Sequence, residues 1–167
     1  MAERALPALG GVLALGGAVA LPVTAVVLVR LVRLVRRNLA VVEVTGPSMQ
    51  PALSSGDRVL VRRAGMSELR SGLVVVVERP LPDGGWAGVP PSWPPARRQW
   101  LIKRVAALPG DPLPDAVPAP GRADHDGLVP PDMFVVLGDN AARSHDSRAI
   151  GCVPADRLLG VMVRPLH

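Results

Sequence analysis

The sequence predicts a mainly β fold, a compact domain over residues 39–167, behind one N-terminal transmembrane helix in a segment 1–38. Three observations carry that expectation. Leu6 to Val29 contains no charged residue and exceeds the ~20 residues a helix needs to cross a bilayer core. Beyond it the chain changes character, to short Val- and Leu-rich runs separated by Gly, Pro, Asp and Ser, the pattern of strands joined by turns. No helical periodicity persists there for more than a few residues.

The elements follow in order. Gly10, Gly11, Gly16, Gly17 and Pro22 weaken the first segment as a soluble helix but are tolerated within membranes. Ala18-Val19-Ala20 offers a competing reading as a signal-peptide cleavage site; cutting there leaves the apolar Leu21 to Val29 as a mature terminus, so a retained anchor is the better expectation. Arg30, Arg33, Arg36 and Arg37 then make a basic juxtamembrane extension suited to anionic lipid head groups. Strands are expected over Ala40–Thr45, Arg58–Arg63, Leu73–Glu78, Trp100–Ala107, Met133–Leu137 and Leu159–Val163. Short helical turns are expected at Ser67–Arg70 and Pro154–Arg157. Pro80–Arg98 and Asp111–Pro131, dense in Pro and Gly, read as surface insertions.

Charge and composition narrow the function classes. The formal net charge of +5 raises nucleic-acid binding, but the basic cluster abuts an apolar segment, and with no Tyr and a single Phe a base-stacking sheet is not expected. Membrane lipid is the better partner. The single Cys152 permits no internal disulfide and reads as a small core hydrophobe. His125, His145 and His167 are scattered without metal-ligand spacing, so neither a metal nor another cofactor is expected.

Three clusters carry candidate chemistry. In Gly46-Pro47-Ser48-Met49-Gln50-Pro51 the glycine and prolines forbid a helix and set a turn between two strands, presenting the Ser48 hydroxyl at an edge. On the strand Trp100–Ala107, Leu101, Lys103 and Val105 share one face and Ile102, Arg104 and Ala106 the other. Each mostly apolar face carries one cation, so one cation is expected near or inside the core. Burial lowers a lysine's pKa but leaves an arginine charged; a shift of ~2 units would cost about 2.7 kcal/mol, so Lys103 is the candidate general base. A lysine snorkelling from a strand edge is the plain alternative. The third cluster, Gly138 to Arg148, follows an apolar strand: Asp139 and Asn140 suit a hydrogen-bonded turn, and Asp146 can pair with Arg148 to brace it. An ordinary solvated loop is the alternative there.

Together these clusters resemble the type I signal peptidases, the serine–lysine endopeptidases of membranes: Ser-Met-x-Pro at 48–51, Lys-Arg-Val with Pro-Gly-Asp at 103–111, and Gly-Asp-Asn…Ser-x-Asp-Ser-Arg at 138–148. The preceding anchor and the Gly56-Asp57 turn fit as well. The resemblance implies that Ser48 is the nucleophile, Lys103 its general base, Ser144 the hydroxyl that orients the lysine, and Asp146 with Arg148 a supporting salt bridge; Asp139 and Asn140 fall in the family's turn. A serine hydroxyl needs such a neutral base to become a nucleophile, and the Ser48 backbone N–H is placed to stabilise an oxyanion. The implied partners are exported preproteins with small residues one and three positions before the scissile bond. No feature assigns an oligomeric state.

The chain also departs from the pattern. Gly46 stands where some members carry a side-chain oxyanion donor, Ala52 where a Thr is common, Gly72-Leu73 in place of a Gly-Asp, and Ile150 in place of an aromatic residue. Competing readings are a Ser48–His145–Asp triad, a cytoplasmic-facing maturation protease for one dedicated partner, and a non-catalytic anchored binding module. The arginines after the anchor favour a cytoplasmic domain by the positive-inside rule, whereas the resemblance implies the outer face of the plasma membrane. The extracytoplasmic side is the expectation, with Trp86, Trp93 or Trp100 at the interface.

Overall fold

The computed structural model describes residues 24–33, 37–91, 95, 99–118 and 127–166. The chain divides into two units, Met1–Arg37 and Asn38–His167. In the first, helix α1 covers residues 24–33 with every residue exposed. Among the described residues no helix is long and apolar enough to cross a membrane. Most of the expected span Leu6–Val29, and the whole of Ala18-Val19-Ala20, lie outside the described residues.

The second unit is mainly β. Its strands are β1 (Leu39–Glu43), β2 (Arg58–Arg63), β3 (Val74–Glu78), β4 (Trp100–Ala107), β5 (Met133–Leu137), β6 (Val153–Pro154) and β7 (Leu158–Leu166). They form one antiparallel sheet in the order β1-β2-β7-β3-β4-β5-β6. β3 explains the core. Its four valines and Glu78 are all buried, which a strand with neighbours on both edges and cover on both faces requires. Val74 and Val76 pack with Met49, Val59, Val61 and Ile102 on one side. Val75 and Val77 pack with Leu69, Val105, Phe134 and Val136 on the other. A third cluster gathers Ala107, Val117, Val129, Val135 and Cys152, so Cys152 does sit in the core; burial pushes its thiol pKa up.

Several elements depart from the sequence expectation, β3 by a single residue, since it begins at Val74 and not Leu73. β1 starts and ends earlier than Ala40–Thr45, its far end closing instead as a turn in which Val44 N–H bonds Asp57 O at 2.8 Å. β7 runs on through Pro165 because it pairs with β3 only as far as Val161. Beyond that it has β2 alone beside it, the edge position at which a strand tolerates proline. The stretch expected to hold only a turn at Pro154–Arg157 begins with the two-residue β6 before a 3-10 turn at Ala155–Arg157. The other expected turn appears as a 3-10 turn at Met66–Glu68.

The described part of the first insertion is held to the domain by a buried arginine. Arg157, 8 % exposed, donates from Nη1 to Glu78 Oε2 at 3.1 Å and to Ala87 O at 2.7 Å. Its guanidinium lies 5.9 Å from the centre of the Trp86 ring. Trp86 is thus engaged inside the domain, and Trp100 packs against the core; Trp93 lies outside the described residues. The second insertion closes on itself through a bridge between Pro112 and Leu128.

Candidate active site

Three segments converge at one end of β4. The first is the turn after β1. Gly46 adopts φ 83°, a left-handed conformation that glycine alone enters without strain, and its N–H is held by Ser55 Oγ at 3.2 Å. Gln50 N–H bonds Pro47 O and Leu53 N–H bonds Met49 O, winding the chain tightly past Ser48 and driving Met49 into the core at 0 % exposure. Ser48 N–H has no partner among the described residues, which leaves a backbone donor free beside the hydroxyl.

The second segment is β4 itself. Lys103 pairs with Val75 across the ladder and shares its face with Leu101 and Val105. Its neighbours leave it 3 % exposed. Nζ lies 2.7 Å from Ser48 Oγ, with Ile102 O as a second acceptor at 3.1 Å. Burial holds the amine below the ordinary lysine range; the Asp146 carboxylate pulls it back upward, while Arg148 and Arg79 push it further down. The other cation, Arg104, is half-exposed and forks onto Asp139, Nε to Oδ1 at 2.8 Å and Nη2 to Oδ2 at 2.7 Å. One strand thus supplies a buried titratable amine and a permanent cation on opposite faces.

The third segment is the loop after β5. Asp146 is fully buried, yet its carboxylate takes Arg148 Nε at 2.9 Å, Arg148 Nη2 at 2.6 Å and Gly138 N–H at 2.8 Å. Burial alone would raise this carboxyl; the bonds from Arg148 and from Gly138 outweigh it and bring the pKa down to about 2. Asn140 N–H bonds Ser48 O at 3.0 Å, joining this loop to the serine turn. Gly138 lies between them, and a Cβ there would meet the Ser144 side chain and stand 2.6 Å from Ser48 O. Only glycine permits that approach, a requirement set by two segments distant in sequence.

The structure brings Ser48 and Lys103 into contact and pairs Asp146 with Arg148. It gives Asp139 a partner in Arg104 and Asn140 a backbone bond to Ser48. Ser144 behaves differently from the expectation. Its Oγ is buried without a hydrogen-bond partner among the described residues, and Lys103 is held by Ser48 and Ile102 O instead. His145 is exposed and lines the groove beside Ser48; the Ser48 hydroxyl is bonded by Lys103 and not by this imidazole. His125 and His167 lie outside the described residues. The groove, about 500 Å³, runs between the β1 end at Val42–Met49 and Gln99–Lys103.

A family model described as signal peptidase, peptidase S26, matches residues 16–114 and 116–166. The chain belongs to that family. Membership makes it a member of a family of serine peptidases. A comparison with curated proteins finds no match.

Residues that sequence reasoning passed over matter to this peptidase fold. Ser147, 0 % exposed, accepts Val136 N–H on Oγ at 2.9 Å. Arg157 and Glu78 fix the first insertion. Gly138 was visible only as the first residue of a polar loop, and a glycine before Asp-Asn is an ordinary turn signal; the contact that demands it comes from Ser48 and Ser144.

Proposed function

We propose that this chain is a membrane-anchored serine endopeptidase that removes signal peptides from exported preproteins with a Ser48–Lys103 dyad. The observation that carries the proposal is the 2.7 Å contact between Lys103 Nζ and Ser48 Oγ, made by a buried amine whose pKa is lowered. A neutral Lys103 takes the Ser48 proton as Oγ attacks the scissile carbonyl. The oxyanion is stabilised by the free Ser48 N–H. Lys103, now charged, protonates the leaving amine, and the acyl-enzyme forms; neutral Lys103 then takes a proton from water as the water oxygen attacks the acyl carbon, and gives that proton to Ser48 Oγ as the acyl group leaves as a carboxylic acid. The Gly46 conformation supports a backbone donor over a side-chain one, since a serine there would be strained.

Asp146, Arg148, Asp139 and Asn140 act in this scheme by fixing the loop against which the serine turn rests. Ser144 is assigned to the protonated state of Lys103, whose additional N–H needs an acceptor. The substrate would have small residues one and three positions before the cut, and the domain would work on the extracytoplasmic face of the plasma membrane.

The dyad is tested with purified full-length protein and a preprotein substrate. Ser48→Ala, Lys103→Ala and the double variant should each lose about a thousandfold or more in turnover, with little further loss on combination, because the two act as a unit. Lys103→Arg should be as inactive as Lys103→Ala, since a guanidinium remains protonated. A folded Lys103→Arg protein with a tenth of wild-type turnover would remove the lysine from the mechanism.

A further inference from the structure

The groove at Ser48 does not end at the dyad. A second concavity, about 1080 Å³, continues from it beneath Pro80–Pro82 of the first insertion and Ala149–Ile150. Arg79, Gln99 and His145 line both, so the two form one continuous trough. Its far wall is a built feature, because Arg157 fastens Glu78 and Ala87 from behind.

The trough carries uncompensated positive charge. Arg79 Nη1 donates to the neutral Gln99 Oε1 at 3.1 Å, and Arg143 lines the catalytic stretch. Neither has a carboxylate partner among the described residues. Among the described residues Glu43 is the one carboxylate lining the catalytic stretch, and Glu78 in the second region is engaged by Arg157. Low-dielectric walls on both sides strengthen such a field for an anion entering the trough.

Distance then fixes register. Gln99 precedes Lys103 by four residues, about 13 Å along β4 at ~3.3 Å per residue. A substrate extended along β4 with its scissile carbonyl at Ser48 advances at the same rise. We propose that the trough holds a specificity subsite for an acidic side chain, Asp or Glu, about four residues from the scissile bond, with Arg79 as its main contact and His145 beside it. The subsite rests on the serine–lysine reading above and adds to it a charged element of substrate recognition.

The experiment uses full-length protein in detergent and peptide pairs differing only in Glu or Gln, placed at three to five positions from the cut on either side. At one position the Glu peptide should be cleaved with a kcat/KM about three- to fivefold higher, the size of a partly exposed ion pair. Arg79→Gln should abolish that ratio, and Arg79→Glu should turn the preference toward a Lys peptide. The ratio is the readout because the Arg79 charge also bears on Lys103, an effect common to both peptides. Fluorescence anisotropy of the same peptides on Ser48→Ala reads the preference without cleavage. Equal affinity and equal cleavage for Glu and Gln at every position, or a preference that survives Arg79→Glu, overturns the subsite. A binding preference accompanied by undiminished cleavage in Ser48→Ala overturns the dyad and leaves the subsite standing.

Discussion

Lys103 is an expensive residue to place inside a sheet, and its chemistry follows from that cost. Its folded pKa is lowered, chiefly by burial, so between the folded and unfolded values the unfolded chain binds more protons. Stability therefore rises with pH across that window, and at neutral pH the lysine subtracts from it. The same depression favours the neutral form of the amine beside Ser48, the form the proposed dyad uses. Two measurements follow. Turnover should climb with rising pH as Lys103 loses its proton. Lys103→Met, apolar and of similar length, should unfold at the same or a higher temperature than the parent while being inactive. A flat pH profile, with folding unaffected, would mean that no group with a depressed pKa gates the chemistry.

At the scale of elements, the loop after β5 replaces a missing strand. β6 pairs only with Met133 and Phe134, which would leave the outward N–H groups further along β5 without partners. Ser147 Oγ takes Val136 N–H and Asp146 takes Gly138 N–H, and the paired Asp146–Arg148 unit then caps the short helix α2, Ser147–Ile150. Because Asp146 is brought down to about 2 from an unfolded value near 3.9, its contribution is complete above the unfolded value and lost as pH falls through the folded one. Asp146→Asn should therefore lower stability by about 2 kcal/mol near neutral pH. The difference between parent and variant urea midpoints should shrink toward zero near pH 2. A gap unchanged at that pH would assign the loss to geometry instead of charge.

Legibility in the sequence divides along the same line. β2, β4 and β5 were readable to the residue because each is a local run of apolar and β-branched residues between turn signals. The two faces of β4 were readable because strand periodicity fixes them. What could not be read is what depends on contacts distant in sequence. The Arg104–Asp139 fork spans 35 positions and the Arg157–Glu78 pair spans 79. The need for glycine at 138 arises from Ser48 and Ser144 meeting over it, and the role of Ser147 from β6 ending early. Local pattern singled out Ser48 on its turn and Lys103 as a candidate base on its strand, but only the resemblance joined them across the 55 positions between them.

At the scale of the whole molecule, two physical arguments bear on the side of the membrane at which the proposed anchored peptidase would work, and they pull apart. Arg30, Arg33, Arg36 and Arg37 follow the proposed anchor, whereas Arg4 lies before it beside Glu3. The positive-inside bias, acting alone, would retain the basic end and the domain in the cytoplasm. The proposed chemistry requires the opposite, since a signal peptide becomes available for removal where the preprotein emerges. An arginine cluster on the far side is still stabilised by anionic lipid, at about 1 kcal/mol per residue near the surface. The bias is statistical, while access to substrate is a condition of function, so the extracytoplasmic side is expected. Protease added to intact cells should digest the domain, and an export-dependent reporter fused after His167 should be active. A domain protected in intact cells and digested only after lysis would reverse the topology and favour a maturation protease acting on a cytoplasmic partner.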